Sequence, residues 1–171
     1  VLFNYNHPVL SVGIMNMRIA YLVLTHGNPE VLRGAIEILS TKECDFCIHV
    51  DKKADLGQFC DVRAENVTFM TEREAVYWGD YSQVRAIVAL LRNALATHRY
   101  DYIVLLSGSD YPLRSGRYIQ KFFDQHRGTE FMSLVAIPNA AAGKSLSQLN
   151  RVWIESKYPL IPVAPVYWVF Q

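Results

Sequence analysis

The sequence predicts an α/β domain, a mostly parallel sheet flanked by helices. Short apolar runs recur along the chain, and each ends abruptly in polar residues, as strands buried on both faces do. Segments with helical apolar spacing separate these runs. Strand, helix and strand in that order form a βαβ unit, whose strands run parallel. The 171 residues suffice for one domain with a real core.

Residues 1–16 are read as an N-terminal extension and 17–171 as the domain. The first basic residue is Arg18, and Met17 opens the first convincing element. Residues 18–24 read as a buried strand, followed by Thr25, His26 and Gly27. Asn28 has the character of a helix N-cap, with Pro29 at the first helical position. Leu32, Ala35, Ile36 and Leu39 recur at helical spacing and predict a helix over 29–39. The second strand is the run 46–50, and Asp51, Lys52 and Lys53 leave it.

Residues 55–65 are polar and predict a short helix, and 67–70 a third strand. Asp80 with Gln83 resembles a capping box. It opens a helix over 81 to about 97, with Val84, Ile87, Val88, Leu91 and Leu95 along its core face. His98 and Arg99 suit its negative end. Residues 101–106 are the next strand, and Ser107, Gly108, Ser109 and Asp110 leave it. The small residues there would let backbone approach a ligand closely. Ser115 caps a helix over 116–127, with Ile119, Phe122 and Phe123 inward and Gly128 closing it. Residues 130–136 predict a strand, 139–145 a mobile loop, and 146–157 a helix stopped by Pro159. Residues 166–170 read as the start of a strand.

Seventeen basic and sixteen acidic residues nearly balance, so nothing points to nucleic acid. Ten Tyr and three Trp suit either a core or a carbohydrate or nucleotide site. Cys44-x-x-Cys47 has the spacing of a zinc or redox motif, but no matching pair of ligands follows. Residues three apart on a strand also face opposite ways. Buried thiols in a reducing compartment are the preferred reading. No apolar run approaches the ~20 residues of a membrane span, and residues 1–16 lack the basic start of a signal peptide.

In open α/β sheets the ligand crevice lies at the carboxyl ends of the strands. Asp51 and Asp110 both land there. A carboxylate suits ribose hydroxyls or a uracil edge, and the adjacent lysines suit a diphosphate. The alternative is a turn cap with solvated lysines for Asp51, and a plain turn for Asp110. There is no glycine-rich phosphate loop and no Gly-x-Ser-x-Gly elbow.

Four segments taken together carry a resemblance. They are Ala20-Tyr-Leu-Val-Leu-Thr-His26, Ile48-His-Val-Asp-Lys-Lys53, Val76-Tyr-Trp-Gly-Asp-Tyr-Ser82 and Leu105-Leu-Ser-Gly-Ser-Asp-Tyr-Pro-Leu-Arg114. In this order and spacing they resemble the core-2/I-branching N-acetylglucosaminyltransferases and the related peptide O-xylosyltransferases, over about residues 18–135. The resemblance implies a GT-A-like, Rossmann-like fold. It implies an inverting transfer of GlcNAc or a similar sugar from a UDP-sugar to a glycan hydroxyl, with no cofactor and no metal. The lack of an Asp-x-Asp motif agrees with that last point. Asp51 matches the aspartate that contacts uridine, and Lys52 lies beside it. Val23 and His26 fall in the segment lining the nucleotide, and Tyr77, Trp78 and Ser82 in the segment near the donor. Asp110 matches an aspartate next to the sugar, and Arg151 lies near an acceptor-binding arginine.

The family's catalytic base is a glutamate in a second half of the domain, together with the basic residues that neutralise the diphosphate. The chain is expected to lack that half, so no residue is assigned as the base. Glu155 is read as a surface helix residue. A truncated module that binds UDP without turnover is the alternative function. The expected location is cytoplasmic and bacterial-type, with peripheral contact at the inner face of a membrane left open. Donor sugar, acceptor, linkage and oligomeric state are not legible.

Overall fold

A computed structural model of the chain describes residues 17–77 and 79–148. It shows four parallel strands flanked by helices, an α/β, GT-A-like arrangement. The strands are β1 Ile19–Thr25, β2 Cys44–Val50, β3 Val67–Phe69 and β4 Tyr102–Ser107. Their order in the sheet is β3-β2-β1-β4. The helices are α1 Pro29–Leu39, α2 Tyr81–Thr97 and α3 Gly116–Gln125. Short 3₁₀ turns occur at Leu56–Phe59 and Leu146–Gln148. No described helix is long and apolar enough to cross a membrane.

β1 is central because its side chains are apolar on both faces. Ile19, Tyr21 and Val23 face α1, while Ala20 and Leu22 face α2. The first face is the larger core, where Leu32, Ile36 and Leu39 of α1 meet Phe46, Ile48 and Val50 of β2. Tyr21 and Phe46 stack there at 5.0 Å between ring centres. Ile119 and Phe123 of α3 pack against the same cluster. On the other face Leu90 and Ala94 of α2 cover Ala20, Leu22 and Cys47. Cys44 and Cys47 therefore lie on opposite faces of the sheet, as their spacing predicts.

Asn28 stands at the N-cap of α1 with Pro29 following, as predicted, but its side chain makes no capping bond; it adopts a left-handed conformation, φ 56°, that turns the chain into Pro29. Three expectations are corrected. The buried stripe of α2 is Ser82, Ala86, Leu90 and Ala94 rather than the larger residues beside them, and Val84 and Leu95 are exposed. Small side chains four apart let the helix lie close to the sheet. Phe122 of α3 is partly exposed rather than core. Residues 130–136 form no strand, because an apolar run becomes one only when it pairs. This run has no ladder to a described strand, and Met132 and Leu134 face outward. The predicted loop 139–145 is present and is closed by Asn139 N donating to Lys144 O at 2.7 Å. The predicted helix over 146–157 and the strand from 166 lie largely or wholly outside the described residues, as does Glu155.

Gly116 opens α3 directly against the carbonyl of Leu39 at the end of α1. A methyl group there would overlap rigid backbone. Gly116→Ala is expected to lower the unfolding free energy by about 1–3 kcal/mol, measured by urea denaturation.

Candidate functional site

The parallel register brings three strand ends to one level. Thr25 of β1 lies opposite Val50 of β2, and Leu24 lies opposite Ser107 of β4. Two backbone bonds extend this just past the ladders: Asp51 N donates to Thr25 O at 2.7 Å, and Gly108 N to Leu24 O at 2.8 Å. Gly108 is needed for that closure. A side chain there would collide with Thr25. The close approach that Gly108 makes here is between two strand ends.

The segment 73–77 crosses the end of β2. Lys52 N donates to Glu74 O at 2.9 Å, and the Glu74 amide donates to His49 Nε2 at 2.9 Å. The Arg73 guanidinium donates to the carbonyls of Asp51 and Ala54. At the far end of the segment, Tyr77 N donates to the Ser82 hydroxyl at 2.9 Å. Asp80 caps α2, its carboxylate accepting from Ser82 N at 2.5 Å.

Between these walls lies a crevice of about 690 Å³, within the range of small-molecule sites. Leu24, Ile87, Leu105 and Leu106 form its apolar side. Thr25, His26, Asp51, Lys53, Gln83, Ser107 and Asp110 form its polar side, with Val76 at the margin. Across the sheet a second, aromatic hollow of about 370 Å³ is lined by Tyr21, Phe122, Phe123 and Phe131. Asp110 borders both.

Asp51 is the most buried charge at the crevice, 7% exposed. Its Oδ1 accepts from Lys53 N at 2.8 Å and its Oδ2 from Lys53 Nζ at 2.9 Å. Burial pushes its carboxyl up, but the Lys53 hydrogen bonds and charge outweigh that and hold it below its ordinary value. A carboxylate has about four acceptor positions; the Lys53 bonds use two, and the Val76 amide, which also draws the carboxyl down, engages the same group. The Lys53 ammonium also donates to the Val76 carbonyl and sits 4.2 Å from the centre of the Tyr77 ring. Two of its three protons are thereby placed, and its side chain remains 46% exposed. The pair can therefore offer one acceptor face and one cation to the same ligand.

His26, Asp51 and Asp110 are brought together at the crevice as their positions predict. Asp110 also accepts from Ser107 N at 2.7 Å, so it closes a turn and borders the crevice at once. Four predicted positions are not on the crevice wall. Val23 is buried in the α1-side core, because the period of two turns Leu24 to the crevice instead. Lys52 is exposed and off the crevice wall: the chain turns after β2, closed by Ala54 N donating to Asp51 O at 2.9 Å, and that turn leaves Lys53 beside Asp51. Ser82 is fully buried and spends its hydroxyl on the Tyr77 amide. Tyr77 flanks Lys53 without lining the crevice. Trp78 and Arg151 lie outside the described residues. Thr25, Ser107, Gln83 and Ile87 are lining residues that the sequence reading did not select. Position at a strand end marks the first two, and spacing of four on α2 marks the others.

Among the described residues no cluster of three His, Cys, Asp or Glu side chains could hold a metal ion.

A parallel α/β domain with a polar crevice at the carboxyl edge of its sheet is the class this geometry defines. The comparisons narrow it. The family model described as Core-2/I-Branching enzyme matches residues 19–168, and the chain belongs to that family. It is 28% identical over 127 residues to xylosyltransferase 2 of Rattus norvegicus, covering 68% of this chain and 14% of that protein. It is 26% identical over 147 residues to xylosyltransferase 1 of the same species, covering 81% and 18%. A beta-1,3-galactosyl-O-glycosyl-glycoprotein beta-1,6-N-acetylglucosaminyltransferase 4 of Danio rerio is 23% identical over 117 residues, covering 65% and 27%. The matched region is thus a small part of each relative's own length.

Asp51→Asn keeps the shape and removes the charge. The native carboxyl titrates below its ordinary value, so the unfolded chain binds more protons in acid. Its stabilisation is fully present above about pH 4 and is lost as pH falls through the native value. The substitution is expected to cost roughly 1–2 kcal/mol near neutrality, with wild type and variant converging in acid. Urea denaturation across pH measures both.

Proposed function

We propose that this chain is the donor-binding part of an inverting glycosyltransferase that moves GlcNAc or a similar sugar from a UDP-sugar to a glycan hydroxyl. The observation that carries the reading is the Asp51–Lys53 pair at the rim of the crevice. Asp51 offers its spare acceptor positions to ribose or uracil, and Lys53 faces the diphosphate. The apolar wall of Leu24, Ile87 and Leu105 suits the flat base. Asp110, which lines the same crevice, is the group we assign to the sugar. Membership of the Core-2/I-Branching family supports the transfer chemistry.

A metal-independent reaction is part of the proposal. A departing diphosphate needs positive charge, and Lys53 supplies a fixed cation where other transferases use a divalent ion. Inversion also needs a base within reach of the attacking hydroxyl. The two carboxylates that line the crevice are both engaged, Asp51 by Lys53 and Asp110 by the Ser107 amide. No described residue is assigned as the base. That engagement favours the second reading, a module that binds UDP-sugar without turning it over.

Calorimetry with UDP-GlcNAc, and turnover of it with glycan acceptors in the presence of EDTA, test both readings. The transferase reading expects binding with EDTA-insensitive turnover, and binding without turnover selects the module. Asp51→Asn is expected to weaken binding about tenfold or more, as loss of a charged hydrogen bond does. Absence of binding by the folded wild-type chain would overturn both readings.

A further inference from the structure

His49 is the least exposed titratable side chain near the crevice, at 0% exposure. It follows Ile48 on β2 and stands opposite Leu24, a crevice-lining residue. Its Nε2 accepts the Glu74 amide at 2.9 Å. An accepting Nε2 fixes the neutral imidazole with its proton on Nδ1, and among the described residues Nδ1 has no partner beyond its own backbone. The bond holds the segment that carries Val76 and Tyr77. Those two residues in turn seat the Lys53 ammonium.

We propose that neutral His49 is a positioning residue, a latch that with the Lys52, Arg73 and Ser82 bonds holds segment 73–77 across the sheet edge and so keeps Lys53 seated for an anionic ligand; protonation removes the His49 bond and loosens the segment. A charged imidazole carries a proton on Nε2, facing the Glu74 N–H, and two donors cannot bond. The surroundings determine when this happens. Burial pushes His49 down; a bond to its own backbone, then the charges of Asp51 and Glu74, pull it up, and Arg73 pushes it further down. Cys47 lies on the same face of β2, and from α2 Arg85 pairs with Glu74 at 3.5 Å. Burial wins. The latched state therefore charges below the ordinary histidine value, and an opened state with a solvated imidazole charges near about 6.5. Acid favours the opened state. The effect on ligand binding rests on the donor-binding reading above, and the latch itself does not.

Two measurements on the whole chain decide it. Imidazole nitrogen NMR of the ligand-free protein reads the latch directly. At neutral pH His49 Nε2 is expected to be the unprotonated nitrogen, and the Glu74 amide resonance is expected to move with the His49 titration. A Glu74 amide indifferent to that titration would overturn the proposal. The second measurement is UDP-GlcNAc affinity by calorimetry. This ligand's diphosphate is a diester and does not titrate between the two pH values used. Wild-type affinity is expected to fall about tenfold or more from about pH 7.5 to about pH 5. In His49→Gln, whose amide oxygen can accept the Glu74 N–H without titrating, the fall is expected to stay under about twofold. His26 is present in both proteins and cannot produce a difference between them. An equal acid loss in both would overturn the link between latch and site. Should wild type bind no UDP-GlcNAc at any pH, the donor reading fails while the NMR measurement still decides the latch.

Discussion

The bonds between Lys53 and Asp51 are the interactions on which the site's chemistry depends. A buried carboxylate without a partner would be costly at a strand end. Lys53 compensates it through both its amide and its ammonium. The same ammonium reaches the Val76 carbonyl and the Tyr77 ring, so one side chain joins the end of β2 to the segment before α2. What holds the crevice wall together is also its cation. That double use explains how a site can be polar, charged and ordered while still presenting donor and acceptor capacity to a ligand.

Much of the fold was legible because parallel sheets impose a strong pattern. The apolar runs at β1 and β2 are buried on both faces, while β4, at the sheet edge, is only partly buried; each of those elements stands within about two residues of its predicted place. Helix α1 was legible to the residue, since its four apolar positions all face one core. Where the reading failed, tertiary contacts decided. The α2 stripe was misplaced because periodicity rewards large side chains, while close packing on the sheet selected Ser82, Ala86 and Ala94. The 130–136 run carries strand composition, but composition supplies no partner edge.

The site was legible to the resolution of a strand end, not of a side chain. Asp51 and Asp110 could be placed because carboxyl edges gather ligands. The choice of Lys53 over Lys52, and of Leu24 over Val23, depends on which way one residue points. Alternation along β1 decides the second, and the turn that follows Val50 decides the first. Ser82 matched a family segment for a reason the sequence does not show: its hydroxyl holds a backbone amide rather than facing the crevice. Histidine 49 was invisible as a functional residue because its partner, the Glu74 amide, lies 25 residues away along the chain.

The two hollows lie on opposite faces of one sheet, and they offer ligands opposite chemistry. The α2-side crevice holds Asp51 and Lys53, whereas the other is aromatic. Diffraction from crystals of the chain grown with UDP-GlcNAc tests the central claim most directly. The account predicts nucleotide density on the α2 side, with uridine against Asp51 and phosphate oxygens within hydrogen-bond distance of Lys53 Nζ. Density in the aromatic hollow among Tyr21, Phe122 and Phe131, with the α2-side crevice free of nucleotide, would contradict it.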